Sequence, residues 1–312
     1  MLVSAPSGEV SMSTRRVVLI VGALAIVAAA CSSSKSTATT PSTSTAPSRG
    51  TSTPATQPGS AYRPTDFSRP LVIDNKWSPM VPGTASYFSG TVSQDKRHES
   101  HGLISIVTDL TKVIDGVRTA VVWERDFRNG VLAESELFFV AQDNTGTVWL
   151  LGEYPAIYER GQFRGAPDTW ISGVSGARGG IFMQTDPHLG APSWSQGRAP
   201  SVQFNDRAQV SKTRQSVCGT FDCYHDVLVI DEWSPLAPED GHQRKYYAAG
   251  VGTVLVQPAG GTQQENLSLV HVVHLDAQDL ATSRQEVLKI DADASRVSGA
   301  YAHTPPAVPR DS

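Results

Sequence analysis

Residues 114–147 read IDGVRTAVVWERDFRNGVLAESELFFVAQDNTGT, and the punctuation of this stretch decides the fold. Asp115-Gly116, Asn129-Gly130 and the Asp143-Asn144-Thr145-Gly146 group recur at a spacing of 14. Asp-Gly and Asn-Gly are the favoured two-residue hairpin turns, because both central positions need a positive φ that these residues tolerate. The segments they separate, 104–114, 117–128, 131–142 and 147–152, are rich in β-branched and aromatic residues and are predicted as strands of an antiparallel meander. Val117, Thr119, Val121 and Trp123 alternate with Arg118, Ala120, Val122 and Glu124, a second set that is only half polar. The run Leu137-Phe138-Phe139-Val140 is apolar on both sides, which predicts a sheet covered on both faces there. Strands of about 11 residues span more than about 30 Å at roughly 3.3 Å per residue, long enough to curl.

Toward the C-terminus, 154–200 is rich in Gly and Pro and predicts long loops with a few short strands. The ladder resumes over 210–217, 221–233, 245–247, 253–257 and 266–275. The period then becomes helical over 277–294, with Asp276 as N-cap and Leu280, Val287, Leu288 and Ala294 on one face. The last residues, 297–312, contain three prolines and read as a loose tail. The predicted class is therefore mainly β: an antiparallel meander forming a curved sheet or half-barrel, with one C-terminal amphipathic helix. Residues 62–296 form a single domain.

The N-terminus carries an address. Arg15-Arg16 precede an apolar run, 17–30, of 14 residues, too short to span a bilayer, which needs about 20. Ala28-Ala29-Ala30-Cys31 follows the order of a lipoprotein signal: charged region, short apolar region, small residues, Cys. Residues 1–30 are thus predicted as a signal peptide and Cys31 as the lipidation site, anchoring the chain on the outer face of the cell membrane. Ala28 stands where Leu is usual, so cleavage without lipidation stays open, and Arg15-Arg16 leaves twin-arginine export open beside the general route. Residues 31–61 are almost pure Ser, Thr, Pro and Ala and predict a disordered stalk. Cys218 and Cys223 then remain as a pair in a chain bound for an oxidising compartment, which predicts a local disulfide. Setting aside Glu9, Arg15 and Arg16, the chain carries 24 basic and 29 acidic residues. That balance gives no reason to expect nucleic acid as a partner.

Several segments together resemble a family of uncharacterised bacterial exported lipoproteins, many of them actinobacterial: 75–87 (NKWSPMVPGTASY), 141–153 (AQDNTGTVWLLGE), 170–183 (WISGVSGARGGIFM), 219–235 and 245–253 (KYYAAGVGT). The resemblance covers most of 70–275 and implies a shared β-rich domain and an envelope location, with no activity attached. Trp77 stands where Tyr or Phe is usual, and the Cys218/Cys223 pair is not a general feature of the family.

No catalytic residue, metal site or cofactor is expected. His98 and His101 lie three apart, and on a strand i and i+3 point to opposite faces, so one ion cannot easily take both. The same spacing predicts one core and one solvent imidazole for His271 and His274. Asp143-Asn144-Thr145-Gly146 has the opening of a calcium loop without the remaining ligands, and a hairpin turn explains it. Glu153 reads as a strand-end charge. Gly173-Val174-Ser175-Gly176-Ala177 ends in Ala where an esterase elbow needs Gly. No phosphate loop or dinucleotide fingerprint appears. Trp123, Trp149, Trp170, Trp194, Trp233 and the Tyr246-Tyr247 pair should mostly fill the concave side of the sheet. If the helix leaves that side open, an apolar cleft remains for a small apolar ligand. The leading expectation is a non-enzymatic envelope binding or interaction domain, its partner a small apolar ligand or an envelope protein. The alternatives are an envelope hydrolase or metal-dependent enzyme built from His98, His101, Glu153 and His188, and a purely structural surface module.

Overall fold

The computed structural model describes residues 62–94, 97–262 and 264–310. The signal peptide, Cys31 and the stalk lie outside the described residues.

Five long strands open the domain: β1 (Thr84–Gln94), β2 (Arg97–Ile114), β3 (Val117–Arg128), β4 (Val131–Gln142) and β5 (Val148–Glu159). The turns between β2, β3 and β4 have the predicted chemistry, with Asp115 at φ 49°, Gly116 at 76°, Asn129 at 50° and Gly130 at 76°. The third junction differs. It is a longer loop, 143–147, held by Asp143, whose Oδ1 accepts from the backbone N–H of Thr145 and Thr147 at 2.8 and 3.0 Å.

β5 extends well past the predicted end and turns at Arg160-Gly161 into β6 (Gln162–Gly165). Short pieces follow, β7 (Trp170–Ile171), β8 (Arg178–Met183), β9 (Trp194–Ser195) and β10 (Gly197–Arg198), as the Gly- and Pro-rich composition predicted. The second ladder comprises β11 (Arg207–Cys218), β12 (Cys223–Trp233), β13 (His242–Ala248), β14 (Gly252–Ala259) and β15 (Gln264–His274). Cys218 and Cys223 form the predicted disulfide across the β11–β12 turn.

The strand order is β10-β8-β5-β4-β3-β2-β1-β15-β14-β13-β12-β11-β9, antiparallel throughout. β9 and β10 sit at opposite ends of this path yet are separated only by Gln196, so the sheet nearly closes on itself as a barrel. Inside, Val122, Phe138, Val140 and Leu150 meet Val210, Leu228, Ile230 and Tyr247 from the other wall. Outside, Val121, Leu137, Phe139 and Leu151 pack under α1 (Ala277–Val297).

Asp276 caps α1, accepting from the N–H groups of Gln278 and Asp279 at 2.9 Å. The buried face of the helix is Ser283, Val287, Asp291 and Ala294, while Leu280 and Leu288 are only half-buried. Asp291 replaces an apolar residue on that face because the strand below presents Lys112, whose ammonium donates to Asp291 Oδ1 at 2.6 Å.

The tail predicted to be loose is docked. Tyr301 is fully buried, donates its hydroxyl to Asp291 Oδ1 at 2.6 Å and lies under the Lys112 ammonium. Lys112 also donates to the Pro305 carbonyl, and the Ala307 N–H donates to Asp291 Oδ2. A final strand, β16 (Val308–Pro309), pairs with β2. The prolines follow the helix by several residues and do not prevent side-chain anchoring, a long-range interaction that local composition does not encode. Asp291→Ala leaves Lys112 buried without its counter-ion and should cost about 3–5 kcal/mol in urea denaturation. Truncation after Val297 should also destabilise, whereas a solvated tail would shift stability by no more than about 0.5 kcal/mol.

Candidate functional site

The β3–β4 hairpin places Glu124 opposite Glu136 and Asp126 opposite Glu134, two carboxyls on each strand. They sit on the same face as Val122 and Phe138, so one half of the barrel interior is apolar and the other acidic. Glu153 joins them through a β-bulge. β4 and β5 slip register between Phe139 and Val140, which leaves Leu151 unpaired and turns Glu153 onto the face of Phe138. Without that extra residue Glu153 would point outward with Trp149. It is therefore not a strand-end charge but a wholly buried carboxyl, accepting at 2.7 Å from the Trp170 indole N–H.

From the opposite wall come Asp206, Glu232, Lys245 and Glu265, all buried. Lys245 meets Glu232 at 2.6 Å. Near the rim, His101 is clamped by two carboxylates, its Nε2 at 2.5 Å from Asp126 Oδ2 and its Nδ1 at 3.0 Å from Glu265 Oε1, the second contact out of hydrogen-bond alignment. Arg128 Nε lies 3.0 Å from Asp126 Oδ1. These three residues, His101, Asp126 and Glu265, are the set among the described residues close enough to hold one metal ion. The carboxylates take opposite nitrogens of the ring, however, whereas an ion bound at one nitrogen would have the second carboxylate on its far side. The arrangement suits an imidazolium: burial lowers the His101 pKa, but Asp126 and Glu265 outweigh it and the net shift is upward.

The remaining carboxyls lack such answers. Neither oxygen of Glu136 has a hydrogen-bond partner, and one oxygen each of Glu134, Glu153 and Asp206 is also unmet. Burial, reinforced by neighbouring carboxylates, pushes Glu134, Glu136 and Glu153 well above the carboxylate range. Desolvation likewise raises Glu124 to about 7, against a hydrogen bond from Ser105, and Asp206 to about 8.

A cavity of about 110 Å³ opens beside this array. Its apolar wall includes Phe88, Leu103, Val122, Phe138 and Val256, and Ser86, Ser105 and Thr253 supply hydroxyls. Glu124 is the carboxyl that reaches it. The helix does not fill the interior, as an open cleft requires, but the cleft is not purely apolar.

The other sequence candidates do not converge here. His98 and His188 are exposed, His98 beside Ser93, so neither joins His101 and Glu153. His271 and His274 are both exposed, against the prediction of one inside: their pairing with Tyr87 and Thr84 is regular, so they lie on opposite faces, and His274 is the last residue of β15. The Asp143 carboxylate is consumed by its own loop and by the Trp149 indole, which donates to Oδ2 at 2.8 Å. Ser175 sits at φ 51° in an exposed turn between β7 and β8 rather than at a strand-to-helix junction. Trp123, Trp149, Trp170 and Trp194 are buried, and Trp233 stacks on His242. Sequence reasoning passed over Glu124, Asp126, Glu134 and Glu136: the Asn129-Gly130 turn alone would oppose Glu124 to Ser135 and Asp126 to Ala133, and the register slip between Asp126 and Phe127 brings the acids into pairs.

No family model and no curated protein matches the chain. Two solved structures are similar in outline. A candidate exported protein with a YmcC-like fold from Bacteroides fragilis is 10% identical, with a TM-score of 0.37 over 64% of this chain and 99% of that one. A candidate lipoprotein from Parabacteroides distasonis is 12% identical, with a TM-score of 0.34 over 64% of this chain and 100% of that one. Likeness at this level carries no argument about ligand or role.

The buried acids bind protons more tightly in the folded than in the unfolded chain, so stability falls as pH rises between the two values. The window runs from 4.5 to about 7 for Glu124 and from 3.8 to about 8 for Asp206. Each group contributes a slope of about 1.4 kcal/mol per pH unit within its window. The melting temperature of ligand-free protein should therefore drop from pH 5 to pH 8, and Glu136→Gln should flatten that drop. A melting temperature that rises over this range would contradict the assignment.

Proposed function

We propose that this chain is a cell-envelope binding protein, tethered through an acylated Cys31, that holds a small ligand inside its barrel. The observation that carries the binding reading is the cavity beside Glu124. Protein interiors are ordinarily packed to near-crystalline density, and a concave apolar site with a few convergent polar groups is what small-molecule binding requires. The envelope address rests on the order of Arg15-Arg16, the apolar run 17–30 and Cys31. A disulfide between Cys218 and Cys223 accords with an oxidising compartment.

Two measurements test the reading. Wild-type protein should fractionate with membranes and Cys31→Ala should be released to the soluble fraction; equal partitioning of the two would overturn the anchor. Native mass spectrometry of protein from its own host should show one small molecule per chain. Ser86→Leu, which fills the mouth of the cavity, should lose that molecule while keeping its melting temperature; an empty wild-type protein would count against an interior ligand.

A further inference from the structure

We infer that the ligand of this interior is a small organic cation, a primary ammonium on an apolar chain, with the ammonium held by Glu124 and the chain lying against Phe88, Leu103, Val122 and Val256. The inference deepens the binding reading above and rests on it.

The interior is short of positive charge. At the rim, Asp126 and Glu265 are answered by His101 and Arg128, and across the barrel Glu232 is answered by Lys245. Glu124, Glu136, Glu153 and Asp206 then share Lys245, which is already engaged with Glu232, and Glu134 shares Arg128 with the rim carboxylates. Protonation relieves the charge but not the hydrogen-bonding deficit. Glu136 is 1% exposed and both its oxygens are unmet, and Glu153, fully buried, has one unmet oxygen. Neither lines the cavity, so a cation beside Glu124 does not reach those lone pairs, but its charge offsets the field that Glu124 and the carboxyls behind it exert on one another.

The walls decide which cation. A divalent metal ion needs several oxygen ligands converging on one point, and among the described residues no three of these five carboxyls come that close. It also has no use for the hydrocarbon that lines most of the cavity. An ammonium has three donors, which one carboxylate and the hydroxyls of Ser86 and Ser105 on the same wall satisfy, and its carbon chain occupies the apolar remainder. By comparison with a cavity of about 150 Å³ that takes benzene, the space suits a chain of about five or six non-hydrogen atoms.

Binding displaces a proton, since Glu124 must ionise to meet the ammonium. Ser105 faces it from β2, Asp126 from β3 and Glu136 from β4. Lys245 and Glu265 act on it from β13 and β15, and the field of Glu134, Glu153 and Asp206 lies behind. Affinity for the cation should therefore rise with pH.

Calorimetry on the full mature chain, with n-pentylamine, n-pentanol and pentanoate as probes, tests this. Pentylammonium should bind at least tenfold more tightly than either analogue and more tightly at pH 8 than at pH 6. Its binding heat should vary with the buffer in the way that proton release requires. Glu124→Gln should weaken pentylammonium at least tenfold and leave pentanol unchanged. Glu136→Gln, one strand further from the cavity, should weaken it by a smaller factor. Pentanol binding as tightly as pentylammonium, or Glu124→Gln leaving the amine unaffected, would overturn the cation while sparing the binding reading. Failure of all three probes, together with an empty protein in native mass spectrometry, would overturn both.

Discussion

A carboxylate taken out of water must find a counter-charge, donors or a proton, and the pairing of Glu124 with Glu136 across the β3–β4 hairpin imposes that requirement on the whole interior. The Asn129-Gly130 turn pairs Arg128 with Val131, the register slip between Asp126 and Phe127 then sets the two acids opposite one another, and like charges directly opposite on a sheet repel. Several surrounding side chains read as a response. Lys245 stands among the acids, Trp170 offers its indole to Glu153, and His101 and Arg128 neutralise the rim. The response is incomplete around Glu136, and the cavity opens beside its cross-strand partner Glu124.

The outer face solves the opposite problem. There the sheet is apolar, and α1 covers it with Val287 and Ala294. The buried charged contact beneath the helix, Lys112 with Asp291, is saturated, because Asp291 takes three donors and Lys112 has both a carboxylate and a carbonyl. A satisfied buried pair ties the tail to the domain and rigidifies the outer layer. The inner array is buried as deeply and is not satisfied. That contrast separates a saturated buried pair from an array left short of donors.

Strand and turn chemistry was legible because it is local. Asp115-Gly116 and Asn129-Gly130 demanded positive φ, and the segments between them had no competing period. Arg160-Gly161 makes the same kind of turn, and it escaped notice because Arg has no preference for φ 53°. The acid pairs of the candidate site were not legible in the same way, because the turn's own register opposes Glu124 to Ser135 and a slip between Asp126 and Phe127 sets the acids against one another. Alternation alone could not say whether that face met water or the inside of a closed sheet.

By itself, then, the sequence determined the order and type of the elements, the helix cap at Asp276 and the covalent pairing of Cys218 with Cys223, since each depends on a few neighbouring residues. The tertiary structure alone decided that the sheet nearly closes at Gln196, that a bulge at Leu151 turns Glu153 inward, and that the tail docks on Asp291. Which face is buried follows from closure and register over the whole barrel, and one extra residue in a strand reverses every side chain beyond it.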